Sequence, residues 1–396
     1  MNASIRKPDV YLASKQHYEI LDALRGVAAL TVVWFHLFET FTYGNHYAQV
    51  INHGYLAVDF FFVLSGFVIG YAYDDRWDKM SLGNFFKRRV IRLHPMIIIG
   101  SLIGALTFYF QASPVFPNIA STPLWKLGVV FLLGCILLAP VTKNFDIRGW
   151  TEMHPLNGPA WTLFFEYIAN ILYGLFVHKF SNKLLAFVVF IFALITLEYT
   201  TYGSSDGYLI GGWNAFDPVQ LRIGFTRLLY PFFAGLLLSR VAKIKKYDHS
   251  FLLCSILILV LLAVPNIGGP EHHWMNGLYE SFCIIIMFPF IVYLGACGKV
   301  TGKKASKVCK FLGDISFPIY ITHYPLIYLF TAWFYNHHMP KPVPGQMPQQ
   351  DLSLVPEALP WMLLVFFSAI AIAYLSMHYY DVPVRAWLRK KCFKHA

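Results

Sequence analysis

The chain has 396 residues, of which 57% are hydrophobic, 18% aromatic and 13% charged, with a formal charge of +11. Soluble domains carry about a quarter charged residues, so this composition excludes a disordered chain, a collagen-like repeat and a small disulfide scaffold. It also argues against a soluble enzyme, whose surface so few charges would not cover. The pattern predicts an all-α, polytopic transmembrane bundle at residues 20–380, preceded by a cytoplasmic segment 1–19 and followed by a basic cytoplasmic tail 381–396.

Eleven apolar stretches have about the length needed to cross or enter a bilayer. They lie near 20–40, 55–73, 95–113, 124–140, 160–178, 184–199, 223–239, 251–265, 278–297, 315–335 and 360–380. The first is not a cleavable signal, because mostly polar residues precede it and it contains Asp22, Arg25 and His36. These three recur at +3 and +11 and share one helical face. His36 lies roughly 16 Å further along the axis than Arg25. The second stretch has Asp59 near one end and Ser65 and Gly66 near its middle. The segment NFFKRRVIRLHP follows, where the spacing of Arg88, Arg89 and Arg92 lets their guanidinium groups converge. The stretch at 160–178 opens with Trp161 and carries Glu166, and the stretch at 315–335 carries His323. The Pro-rich gap near 336–359 has the length of a lid but not of a domain.

Six basic clusters, at 6–15, 76–92, 179–183, 240–246, 299–310 and 385–394, hold 25 of the 32 lysines and arginines. All face the cytoplasm only if 95–140 crosses the membrane an odd number of times. This predicts ten full spans, both termini cytoplasmic, and one re-entrant or interfacial segment, assigned to 124–140 because it contains Lys126 and ends at Pro140. That topology puts Glu166 in the outer third, near the depth of His36. The basic residues are thereby read as membrane-topology determinants, and no nucleic-acid partner is expected. The six cysteines include no CxxC and read as buried small hydrophobes. No metal is expected.

Charges at membrane depth need a partner, a cavity or a function. Guanidinium forks bind phosphates, and a histidine is the usual general base for a hydroxyl. A phosphorylated donor entering from the cytoplasm, with its reactive end near His36, would use both. Each residue also has a plainer reading. His36 could be a packed interior histidine, Glu166 a bridge between helices, and Asp59 a solvated interfacial acid. Asp22 and Arg25 could simply neutralise each other. The arginines could be headgroup anchors, and His323 a packing hydrogen bond. A transporter using the same buried charges is the alternative to an enzyme.

The motifs DALRGVAAL–WFHLF, VDFFFVLSGFVIG, FFKRRVIRLHP, PAWTLFFEY and LGDISFPIYITHYPL occur in that order between about residues 18 and 380. Together they resemble the acyltransferase family 3 membrane proteins. The resemblance implies a multi-pass enzyme of the bacterial plasma membrane that transfers an acyl group, most often acetyl from acetyl-CoA, to a hydroxyl. The acceptors it implies are glycans, lipid-linked sugars or secondary metabolites. The family's motif positions fall on His36, Asp59, Arg89, Arg92, Glu166 and His323. The implied roles are His36 as base with Glu166 or Asp59 orienting it, and Arg89 and Arg92, with Arg88 or Arg25, gripping acyl-CoA phosphates. His323, Trp161 and Ser65 are the substrate-side candidates. An acyl-histidine intermediate is the mechanistic variant. No permanently bound cofactor is expected, and the partners implied are acyl-CoA, the acceptor, the bilayer and glycan-assembly proteins. The extra hydrolase-like domain of some members is not expected here, since the chain stops soon after its last span.

Overall fold

A computed structural model describes residues 15, 17–45, 47–204, 207–244, 247–248, 250–338 and 351–393. Most of the segment 1–19 therefore lies outside the described residues. So do Arg6, Lys7, Lys245, Lys246 and Lys394 of the basic clusters, and the core of the Pro-rich gap, 339–350.

All eleven apolar stretches contain helix. The helices are α1 (Glu19–Thr42), α2 (Ala57–Tyr73), α3 (Leu82–Thr107), α4 (Leu124–Leu132), α5 (Ala160–Leu175), α6 (Asn182–Glu198) and α7 (Pro218–Val241). There follow α8 (Ser250–Ala263), α9 (His273–Ser281), α10 (Phe288–Cys297), α11 (Lys303–Thr322), α12 (Tyr324–His337), α13 (Val355–Ser376) and α14 (Val382–Cys392). The starts follow local chemistry. Ser81 caps α3 by accepting from the Asn84 N–H at 3.2 Å, and Asp217 caps α7 just before Pro218, whose missing N–H costs nothing at that position.

Among the described residues, seven helical segments are long and apolar enough to cross a membrane. The expected ten is a larger number for physical reasons. Helix α8 has only 14 residues. Helices α11 and α12 are separated at His323, two residues before Pro325. Proline lacks an N–H, so the Ile321 carbonyl loses its helical donor, and the Asn157 side chain supplies one at 2.9 Å. Helix α5 is short because the chain before it, residues 152–159, runs buried and non-helical through the bundle. Such backbone is tolerated at membrane depth only inside protein.

One end of the bundle is gathered by Arg240. Its guanidinium holds Asp74 at 2.6 Å and the carbonyls of Phe180 and Val177 at 2.7 and 3.4 Å. The C-terminal ends of α2, α5 and α7 therefore meet, and α3 starts at that same end. At the other end Trp150 donates to the Val115 carbonyl and Tyr109 to that of Thr122. Between them α4 ends in a wide turn, Leu133–Leu137, that lies against His94 of α3. The chain then turns back at Leu138, whose φ is 48°, and Val141 pairs with Met153.

The closest helix pairs are α2 with α7 and α1 with α11. A methyl group on Gly66 would lie 1.9 Å from the Phe232 carbonyl oxygen, and one on Gly26 2.3 Å from that of Leu312. Glycine is what permits this backbone approach.

Candidate active site

The principal cavity, about 490 Å³, opens at the Arg240 end of the bundle, between the ends of α1, α2, α3, α11 and α14. Its wall carries one lysine and seven arginines against two carboxylates, Asp22 and Glu166. Arg25, Arg88, Arg89, Arg92, Ser65 and Glu166 are all brought together there. Arg25 stands 3.6 Å from Asp22. Arg89 donates to Glu166 at 2.8 Å and to Asn170 at 2.8 Å, and Ser65 donates to Glu166 at 2.5 Å. Arg92 is exposed to the cavity and pairs with no carboxylate among the described residues. The inner wall turns apolar and ends at Phe61, Thr162 and Tyr320. The Phe61 and Tyr320 rings meet edge-on at 5.3 Å, and Tyr320 shares a hydrogen bond with Thr162 at 3.0 Å.

At this neck the Tyr320 ring lies 6.2 Å from that of His323, one of a histidine pair that stands outside the cavity lining. His36 and His323 stack with ring centroids 5.6 Å apart, and the Tyr324 ring meets His36 at 4.7 Å. His323 is fully buried, and its Nδ1 bonds the Ile319 carbonyl at 2.9 Å. A carbonyl only accepts, which assigns the proton to Nδ1 and leaves Nε2 a lone pair. That nitrogen has no partner among the described residues. The Nδ1 of His36 bonds Glu39 at 2.8 Å, with both side chains partly exposed.

The carboxylate beside His36 is therefore Glu39, one helical turn along α1, and neither Glu166 nor Asp59. Both expectations are corrected by geometry. Glu166 is not level with His36 but with Arg89, because the buried approach of residues 152–159 starts α5 inside the bundle. Asp59 is not solvated, and its ion-pair partner is Arg227 rather than His36. It is completely buried against Arg227, with Nη2 to Oδ2 at 2.7 Å. Arg227 also donates to the Tyr55 and Gly211 carbonyls at 2.6 and 3.3 Å. Trp161 belongs to this pair, with the Arg227 guanidinium 5.2 Å over its ring, and does not line the cavity.

Four functional candidates were not singled out from the sequence. Glu39 carried a signal, its i,i+3 spacing from His36. Arg227 carried none, since its partner lies 168 residues away. Arg385 and Arg389, assigned to a basic tail, line the cavity because α14 packs on α3. Among the described residues no group of three or more His, Cys, Asp or Glu gathers as a metal site would need.

A helical bundle with apolar spans, a cationic cavity and a histidine pair beside it belongs to the class of integral-membrane proteins whose interior charges are suited to anionic ligands. The particular family follows from comparison. Residues 18–378 match the acyltransferase-domain model of acyltransferase family 3, and the chain belongs to that family. It is 31% identical over 193 residues to "Protein 2 in picA locus" of Rhizobium radiobacter, covering 46% of this chain and 94% of that protein. It is 23% identical over 391 residues to the O-acetyltransferase OatA of Staphylococcus aureus strain NCTC 8325, covering 94% of this chain. The chain spans 57% of the length of OatA. No solved structure matches.

Proposed function

We propose that this protein is an O-acyltransferase of the bacterial plasma membrane. It moves an acyl group, acetyl by preference, from cytoplasmic acyl-CoA to a hydroxyl of a glycan or lipid-linked sugar. The observation that carries the reading is the cavity itself, whose lining gathers seven arginines with apolar side chains, and whose wall residue Tyr320 lies 6.2 Å from His323, the ring stacked on His36. Phosphates suit the mouth, and a pantetheine-like arm suits the apolar interior. The ten-span topology drawn from charge puts the mouth in the cytoplasm, where acyl-CoA is made.

In the reaction, Nε2 of His36 takes the proton of the acceptor hydroxyl while Nδ1–H is held by Glu39. The acceptor oxygen attacks the thioester carbonyl, the new C–O bond forms and the C–S bond breaks. The thiolate leaves with the proton from His36 as free CoA. A general base of this kind contributes about 10²–10⁴-fold, and Glu39 stabilises the imidazolium between the two proton transfers. The thioester arm must pass Phe61 and Tyr320 to reach His36. Glu166 and Ser65 hold Arg89 in place at the donor end. The partners on this reading are acyl-CoA, the acceptor, the bilayer and glycan-assembly proteins.

The test is acyl-CoA consumption and acceptor acylation by the purified protein and by His36→Ala. The expected result is loss of acylation in a variant that inserts and accumulates normally. Normal acylation by His36→Ala removes His36 from the chemistry. A wild-type protein that moves sugar across the membrane while consuming no acyl-CoA is a transporter.

A further inference from the structure

Helix α14 is amphipathic in an unusual way, because its two kinds of cation separate. Arg385, Arg389 and Phe393 follow one another at intervals of four, so they share one face, and all three line the cavity. Lys390 and Lys391 are exposed and do not line it, and Lys391 lies over the exposed ring of Trp387 at 5.0 Å. Arginine forks suit phosphate, whereas exposed Lys and Trp suit a membrane interface. The helix is firmly docked at its C-terminal end, since Phe393 is 1% exposed and packs under the Arg88 guanidinium at 4.7 Å.

The arginine face is also under-neutralised. Asp381 engages Arg385 at 2.5 Å, and Arg92 lies within electrostatic reach of Asp381 and Asp22 as well as of Arg385 and Arg25, so the guanidinium groups outnumber the carboxylates they share. Arg389 is exposed at the mouth, and its side chain has no ion-pair partner among the described residues. Like charges gathered in a concave, partly desolvated wall are held apart from their counter-charge at a cost that a polyanion removes.

We propose that α14 is part of the donor site. Arg385 and Arg389, with Arg92 and Arg25, hold the clustered phosphates of a nucleotide-bearing thioester donor, and Arg389 takes the phosphate nearest the mouth. In coenzyme A that group is the 3′-phosphate, because the thiol end must point toward the neck. This assignment rests on the donor reading above. Clustered phosphate could also be supplied by anionic lipid headgroups, so the test separates the two.

Full-length protein is placed in nanodiscs of zwitterionic phosphatidylcholine alone, and in discs that also contain phosphatidylglycerol. Coenzyme A and 3′-dephospho-coenzyme A are titrated into each. Wild type should prefer coenzyme A. Arg389→Gln should weaken coenzyme A binding about tenfold or more, the effect of one lost charged hydrogen bond, and leave 3′-dephospho-coenzyme A little changed. Arg389→Lys should recover part of the preference, and Lys390→Gln should match wild type. Arg385→Gln also breaks the contact with Asp381, so Arg389→Gln, which breaks no such contact, carries the test if the former misfolds. If wild type binds coenzyme A and both arginine variants bind it equally well, α14 is no part of the site and the donor reading stands. If wild type binds no coenzyme A, the donor reading fails and this assignment with it. If the variants lose only retained phosphatidylglycerol, the face belongs to lipid and the proposal is overturned.

Discussion

Replacing Asp59 distinguishes a structural charge from a catalytic one. The Asp59 and Arg227 side chains are 0% and 2% exposed, and Arg227 makes further bonds to the Tyr55 and Gly211 carbonyls. Asp59→Asn leaves a buried guanidinium with no counter-charge. Breaking a buried pair from one side costs about 3–5 kcal/mol. Arg227→Met should cost a similar amount, because it strands the carboxylate and two carbonyls. In the double variant Asp59→Leu, Arg227→Met both charges are gone. What remains is about 1–3 kcal/mol for each carbonyl left without its donor, reduced where the backbone relaxes. The double variant should therefore lose on the order of 3 kcal/mol less than the two single losses added together. The assay is reversible unfolding in mixed micelles, with acyl transfer measured per folded molecule. Transfer per folded molecule should be retained in Asp59→Asn. A variant as stable as wild type yet inactive would refute the structural reading and return Asp59 to the chemistry.

Glu39→Gln should lower kcat about 10²-fold with donor affinity unchanged. A loss of coenzyme A affinity at constant kcat would contradict its role beside His36. Gly66→Ala should destabilise the protein by about 1–3 kcal/mol or more, the cost of overpacking, since its methyl group would meet the Phe232 carbonyl at 1.9 Å; unfolding measurements read this directly. His17, whose hydrogen bond to Asp22 raises it above the usual histidine range, adds positive charge to the mouth when protonated. That contribution is complete below the ordinary histidine pKa and fades as pH rises through the raised value. Coenzyme A affinity should therefore strengthen as pH falls from the alkaline side toward about 6.5, and His17→Gln should flatten that part of the profile. Parallel profiles in the two proteins would exclude His17.

Every helix except α14 overlaps an apolar run legible in the sequence, and the arginine cluster was legible from spacing within one helix. These are local properties. Glu39 was readable in principle but sits at the end of an apolar run, where an acid passes for an interfacial residue. The pairing of Asp59 with Arg227 joins α2 to α7 and has no local trace. Glu166 was misplaced in depth because run length does not reveal that residues 152–159 enter the bundle without forming helix. The tail at 381–396 looked like a positive anchor because its charge dominates its pattern. The docking of Phe393 beneath Arg88 shows that Arg385 and Arg389 turn inward.

The two backbone-to-backbone helix pairs have a mechanical consequence. Gly66 brings α2 against α7, and Gly26 brings α1 against α11, each at backbone contact. Phe61 rides on the first couple and Tyr320 on the second. Widening the constriction between these rings is then a parting of two stiff staves along their common seam, while each stave keeps its own register.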